Sequence, residues 1–234
     1  MELLGSTLVS FANVFLSRMI MVFTICILVV RPVKWLRCFL LFIPLFFLPF
    51  VVQFLMLRFV FWYLFGESLA FFLYVWPFAD MMLLVLSGFL FAKVAFGLAD
   101  TFAIHTAITV VLLGLLFNYI GGFISMFFIE NVANGLSFFG ERIAAVGSGF
   151  VFSVVGLCIA NRPQVHRYLH IKEGNVSMAN VGMGIVFILI FAGSIVFLQR
   201  IGLIAMYGGG VMIIVAALVV QYWLYVGNEK RQGV

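Results

Sequence analysis

The sequence predicts an all-α protein, a polytopic transmembrane helical bundle, on three observations. Of its 234 residues, 66% are hydrophobic and only 9% are charged. The mean hydropathy is +1.28. A soluble domain needs about a quarter of its residues charged to cover its surface, so here lipid has to replace water as the main solvent. The longest polar stretch, 161–180, is too short for a soluble domain, and we therefore predict a single integral-membrane domain over 1–234.

Seven apolar runs lie between the polar clusters of the chain, and each is long enough to cross a membrane. A hydrocarbon core about 30 Å thick takes roughly 20 helical residues. The predicted spans are 11–30, 38–63, 69–91, 102–129, 143–160, 181–198 and 201–226. Only Gln199 and Arg200 separate the last two runs. An alternative break at Gly208, Gly209 and Gly210 leaves six spans with one long re-entrant hairpin.

The distribution of Lys and Arg predicts the orientation of these spans. Short cytoplasmic loops retain positive charge, so the more basic side is expected in the cytoplasm. Nine residues share that side: Arg31, Lys34, Arg37, Lys93, Arg162, Arg167, Lys172, Lys230 and Arg231. The opposite side holds Arg142 and Arg200, while Arg18 and Arg58 fall inside or near apolar runs. We therefore expect the N-terminus outside and the C-terminus in the cytoplasm, in a plasma membrane or bacterial inner membrane.

The three cysteines fall near the cytoplasmic ends of their predicted spans. They are Cys26, Cys38 and Cys158. Because the cytoplasm keeps thiols reduced, we expect free cysteines and no disulfide.

Two charged residues lie inside predicted spans and form the main candidate site. Asp80 stands near the middle of the third span, three residues after Pro77, and Arg18 lies deep in the first span. An ionised group in hydrocarbon costs several kcal/mol unless it is paired or hydrated, so we expect Arg18 to pair with Asp80. Pro77 lacks a backbone donor and predicts a local helix break beside the carboxyl group. The pair is interpreted either as a coupling or ion-relay site or as a structural salt bridge.

Other polar residues in the spans are weaker candidates. Gln53, His105 and Asn118 could line a polar path through the bundle. The commoner use of such residues is hydrogen bonding between neighbouring helices, and both interpretations stay open.

The fifth loop carries a group of residues with metal-ligand spacing. His166, His170 and Glu173 follow one another at i, i+4 and i+7, which places them on one face of a helix. This spacing can chelate a metal weakly, but three histidines in the whole chain are too few for a catalytic di-iron centre, so we expect no catalytic metal and no cofactor. The favoured interpretation is a basic amphipathic loop that contacts anionic lipid headgroups or a partner through Arg162, Arg167 and Lys172.

Three hypotheses on function follow, and none of them is an enzyme because the chain has no G-x-S-x-G, H-E-x-x-H, P-loop or Cys-x-x-Cys motif. The first is a non-catalytic subunit of a membrane complex concerned with transport or translocation. The second is a self-sufficient ion-coupled transporter of small molecules, and the third is a membrane sensor or receptor module that signals to a cytoplasmic partner. The expected partners are lipids and partner subunits or further copies of the chain, with no nucleic acid.

Overall fold

The structure is a computed structural model that describes residues 15, 18–29, 33–55, 69–132, 151, 154–155, 158, 174 and 176–232. Within these ranges the chain is helical and contains no strand. The six helical segments are α1 (Arg18–Leu28), α2 (Trp35–Phe42, Ile43–Phe47 and Leu48–Leu55 in succession), α3 (Leu69–Phe96), α4 (Asp100–Val132), α5 (Met178–Ile201) and α6 (Leu203–Gln232).

Five of these helices, α2 to α6, are long and apolar enough to cross a membrane. The described chain is therefore the helical bundle of a multi-pass integral membrane protein, as the composition predicted. The predicted spans 69–91, 102–129, 181–198 and 201–226 each match one long helix, and most of these helices extend beyond the predicted ends. Within the predicted span 11–30 the structure describes the shorter helix α1. Residues 56–63, the end of the second predicted span, and most of 143–160 lie outside the described residues.

Helix α2 changes from α-helical to π-helical geometry at Ile43–Phe47 and then returns to α-helical geometry. In this segment the N–H of Leu48 donates to the carbonyl of Ile43, five residues back. Pro44 lies within the segment and Pro49 follows it, and neither has an N–H to donate to the preceding turn. A wider turn beside prolines is a known way for a helix to accommodate them, and it makes this the natural position for α2 to bend.

Contacts between side chains show in which direction each helix runs relative to its neighbours. Helices α1 and α3 run parallel, since Arg18 meets Asp80 and Ile25 meets Gly88. Helix α2 runs opposite to α3, since Arg37 meets Val94 while Gln53 meets Asp80. Helix α4 also runs opposite to α3, since Lys93 meets Asp100 while Gly88 meets Ala107. Helices α4 and α5 instead run parallel, because both members of each contact pair advance together along the chain. The pairs are Ile108 with Gly184 and Tyr119 with Phe191. Met178, where α5 begins, therefore lies at the same end of the bundle as Asp100, where α4 begins.

The described basic residues are concentrated at one end of this bundle. Lys34, Arg37, Lys93 and Lys230 stand at the end where α2 and α4 begin and where α3 and α6 finish. The guanidinium of Arg37 donates to the carbonyl of Val94 at 2.6 Å and ties α2 to α3 at this end. Arg200 lies at the opposite end, close to the finish of α5.

The boundary between α5 and α6 falls at Gly202, not at Gln199 and Arg200 as the sequence predicted. Gly202 has φ 149° and ψ 163°, a conformation that is essentially restricted to glycine. Helix α5 therefore ends before this residue and α6 begins after it. The alternative break at Gly208 to Gly210 is also wrong, because α6 continues through all three glycines. A Cβ on Gly209 would come within 2.8 Å of Leu198, so this glycine serves the close approach of α5 to α6.

Candidate functional site inside the helical bundle

Three helices bring Arg18, Gln53 and Asp80 together. Arg18 comes from α1, Gln53 lies in the last turn of the described part of α2, and Asp80 stands near the midpoint of α3. A helix of 28 residues is about 42 Å long, which exceeds a hydrocarbon core of about 30 Å. Its midpoint therefore lies at hydrocarbon depth when the helix spans the membrane.

One carboxylate oxygen, Oδ1 of Asp80, accepts two of the three hydrogen bonds in this cluster. The Nη2 of Arg18 donates to Oδ1 of Asp80 at 2.8 Å, and the Nε2 of Gln53 donates to the same oxygen at 3.1 Å. Arg18 Nη2 also lies 3.3 Å from Oε1 of Gln53, so each of the three side chains contacts the other two. The charged pair is thus connected through a neutral amide, which fixes its orientation more firmly than a single contact would.

The two charged groups differ sharply in exposure. The Arg18 side chain is 2% exposed, whereas the Asp80 side chain is 32% exposed. The guanidinium carbon of Arg18 lies 5.2 Å from the ring centroid of Phe50, within the range of a cation–π contact. Arg18 Nε and Nη1 are buried and have no hydrogen-bond partner among the described residues. Asp80 is therefore the member of the pair that a ligand, a proton or a second protein can reach.

This arrangement can bind or release a positive charge at the carboxylate. Asp80 Oδ1 is occupied by Arg18 and Gln53, and among the described residues nothing donates to Oδ2. A proton or cation that binds Asp80 competes with Arg18 for the same negative charge. Release of Arg18 would leave its charge buried without a counter-ion, so occupancy of Asp80 is coupled in energy to the contact between α1 and α3.

A second polar cluster, formed by residues of α4, α5 and α6, lies toward the basic end of the bundle. Thr109 of α4 donates to Gln221 of α6 at 3.3 Å. Asn180 of α5 is fully buried, and its amide lies 3.5 Å from the Gln221 carbonyl oxygen. Its Oδ1 accepts from the backbone N–H of Ser177 at 3.2 Å and from Asn228 at 3.0 Å. The bonds of Asn180 join the start of α5 to the C-terminal half of α6.

The sequence contains one local signal for this cluster. Ser177 and Asn180 have the spacing of a helix N-cap and its third residue, and they form a capping box at the start of α5. No local pattern links this capping box to Gln221, which lies 41 residues along the chain from its partner Asn180. No local pattern links Gln221 to Thr109 either, since these two residues are 112 positions apart. These contacts exist only because the helices pack.

The remaining predicted site residues have different outcomes. His105 is buried in α4, with no hydrogen-bond partner for Nδ1 among the described residues, whereas Asn118 is exposed on the outside of the bundle.

The helix break predicted at Pro77 is wrong, since α3 continues through it. A proline removes only its own donor, and a transmembrane helix with packed neighbours tolerates that loss. His166, His170, Glu173, Arg162, Arg167 and Lys172 all lie outside the described residues.

Comparison of the chain with protein-family models, with curated proteins and with solved structures gave no match.

Proposed function

We propose that this chain is a non-catalytic subunit of a membrane protein complex concerned with transport or translocation across the membrane. The observation that supports this most is the partial exposure of Asp80, 32%, near the midpoint of a membrane-spanning helix. Arg18 and Gln53 both bind Oδ1, which leaves Oδ2 without a donor among the described residues. A polar group that faces hydrocarbon without a hydrogen bond costs several kcal/mol. A neighbouring subunit that covers this carboxylate removes that cost.

We further propose seven spans, with the N-terminus outside and the C-terminus in the cytoplasm of a plasma membrane or bacterial inner membrane. The parallel directions of α4 and α5 support an odd number of crossings between them. The concentration of Lys34, Arg37, Lys93 and Lys230 at one end of the bundle supports a cytoplasmic position for that end.

The test is extraction of the natively expressed protein into nanodiscs, followed by mass measurement of the intact particle. We expect a particle heavier than one chain, with the same companion chains in every preparation. Asp80→Ala should lower the yield of companions, while Asp100→Ala, which removes an exposed carboxylate 2.7 Å from Lys93, should leave it unchanged. A lone chain that is active by itself in vesicles would refute the proposal.

A second candidate is a self-sufficient ion-coupled transporter of small molecules, and the shared oxygen of Asp80 favours it. Because Arg18 and an incoming cation compete for one carboxylate, ion binding can drive the movement of α1 against α3. Uptake in proteoliposomes tests this directly. Asp80→Asn should abolish the ion dependence of uptake while Asp100→Asn retains it, and uptake with unchanged ion dependence in Asp80→Asn would eliminate this mechanism. The sensor hypothesis depends on Arg162, Arg167 and Lys172 of the fifth loop, which lie outside the described residues.

A further inference from the structure

Two polar groups on the neighbouring helices α3 and α4 are accessible from outside the bundle. The Asp80 side chain is 32% exposed, and its Oδ2 has no donor among the described residues. Asn118 is exposed, and no described residue forms a hydrogen bond with its carboxamide. The carboxylate is an acceptor that lacks a donor, and the carboxamide carries two N–H donors that lack an acceptor.

The packing of α3 against α4 places these two residues at nearly the same depth. Gly88 faces Ala107 across this antiparallel pair, so these two residues mark one level in the membrane. Asp80 lies eight residues from Gly88, about 12 Å, and Asn118 lies eleven residues from Ala107 toward the same end, about 16 Å. Side chains lean toward the N-terminus of their own helix, so these two lean toward a common level.

The surfaces around both residues allow a second helix to approach closely. Gly114 precedes Asn118 by one turn of α4, and a Cβ added to it would contact none of the described residues. On α3, Ala79 lies beside Asp80 and is exposed. Small residues near an interhelical hydrogen bond are typical of helix association in membranes, because they let the two backbones come close.

The charge of the site determines which donor can cover Asp80. Arg18 and Asp80 together carry no net charge, and Arg18 is 2% exposed. A Lys or Arg that a neighbour brought to Oδ2 would therefore leave an uncompensated positive charge in hydrocarbon. A neutral carboxamide supplies the missing hydrogen bond and adds no charge. Asn118 is such a donor, and because it does not bond Asp80 within one chain, it can cover this carboxylate only from a second copy.

We propose that two copies of this chain associate in the membrane, and that the carboxamide of Asn118 in one copy donates to Oδ2 of Asp80 in the other. Copies inserted in one membrane share one orientation, so the matched depth of the two groups is preserved between them. The Asp80 site is incomplete in a single copy and is completed by this contact. The inference rests on the proposed function, since it names the neighbour that covers Asp80.

The first test measures association of the purified full chain in liposomes by energy transfer between a donor and an acceptor dye at the C-terminus. Asn118→Leu leaves the pair of Arg18 and Asp80 intact and should weaken association roughly three- to twenty-fold, the range for one interhelical hydrogen bond. Tyr222→Phe removes an exposed hydroxyl from α6 and should leave association unchanged. Circular dichroism checks that both variants keep their helices.

The second test uses a short thiol-reactive cross-linker on a chain whose own cysteines are replaced by serine. Ala79→Cys in one pool and Gly114→Cys in another should give more covalent dimer when mixed than either pool gives alone. Met212→Cys is the matched control for Gly114→Cys. Met212 is 73% exposed on α6, nine residues before Gln221, which places it at about the depth of Asn118. It should give little dimer with Ala79→Cys.

Three results would overturn this inference: a chain that stays monomeric at every lipid ratio, association that Asn118→Leu does not weaken, or cross-linking through Met212→Cys as strong as through Gly114→Cys. The mass of the native particle separates this failure from that of the proposed function. A particle with one copy beside other chains eliminates only the pairing of copies. A particle of one chain without companions refutes both.

Discussion

The buried ion pair of Arg18 and Asp80 makes a quantitative prediction about stability. Asp80→Ala removes the counter-ion of a guanidinium that is 2% exposed and leaves its charge in the bundle. Removal of one partner of a fully buried pair costs about 3–5 kcal/mol. Because the Asp80 side chain is 32% exposed, its own desolvation is incomplete, and we expect a loss of about 2–3 kcal/mol in the free energy of unfolding. Asp80→Asn keeps an oxygen acceptor for both donors but also removes the counter-ion of Arg18, so it should lose somewhat less than Asp80→Ala and more than a neutral hydrogen bond alone.

The chain provides a matched control in a second ion pair of nearly equal length. Lys93 and Asp100 are 2.7 Å apart, but their side chains are 46% and 70% exposed. Asp100→Ala should therefore cost less than about 1 kcal/mol, since exposed pairs contribute little and Asp100 adds only a helix N-terminal charge. Reversible unfolding in mixed micelles, followed by tryptophan fluorescence during titration with sodium dodecyl sulfate, compares the variants on one scale.

Two results would refute the energetic reasoning. In the first, Asp80→Ala is no less stable than Asp100→Ala. The second concerns the double variant Arg18→Met with Asp80→Leu, which removes both charges and should be more stable than Asp80→Ala alone. If the double variant is the less stable of the two, the buried charge of Arg18 is not the source of the loss.

Backbone geometry, helix packing and topology make three further predictions. Gly202→Ala should destabilise the protein by about 1–3 kcal/mol because φ is 149° there. Gly182 lies at an exposed helical position with open space around it, so Gly182→Ala should stabilise the protein by up to about 1 kcal/mol. Unfolding titrations measure both changes. Gly210→Ala places a Cβ 2.6 Å from an aromatic ring of α4 and should cost about 1–3 kcal/mol, with unchanged stability contradicting the packing. Cysteines introduced singly at Lys230 and Arg200 in a chain without other cysteines should react with a membrane-impermeant maleimide from opposite sides, and labelling of both from one side would contradict the helix directions.

The candidate site was partly predictable because charge in hydrocarbon is rare enough to be conspicuous. Arg18 and Asp80 are separated by 62 residues, yet each was identified from its own apolar surroundings, and the structure brings them into contact. Gln53 was identified as polar lining only. Nothing in its local sequence indicates that it donates to the same oxygen as Arg18, because that contact depends on how α2, with its π-helical segment Ile43–Phe47, packs against α3.

The helix boundaries were also only partly predictable from the sequence. Apolar length predicts where a helix crosses lipid, but a helix continues for as long as its backbone bonds are satisfied, so α3 passes through Pro77 and α6 passes through its three glycines. The turn at Gly202 depends on a single φ value that composition does not indicate.

The sequence by itself determined the class of this protein, because hydropathy is a sum over residues and needs no knowledge of their neighbours. It also determined which side chains have to find a partner within the membrane, since the cost of an unpaired charge in hydrocarbon is a local property. Only the tertiary structure decided which groups meet. The shared oxygen of Asp80 and the cluster around Gln221 both join different helices, and their distances depend on the direction and rotation of whole helices in the bundle.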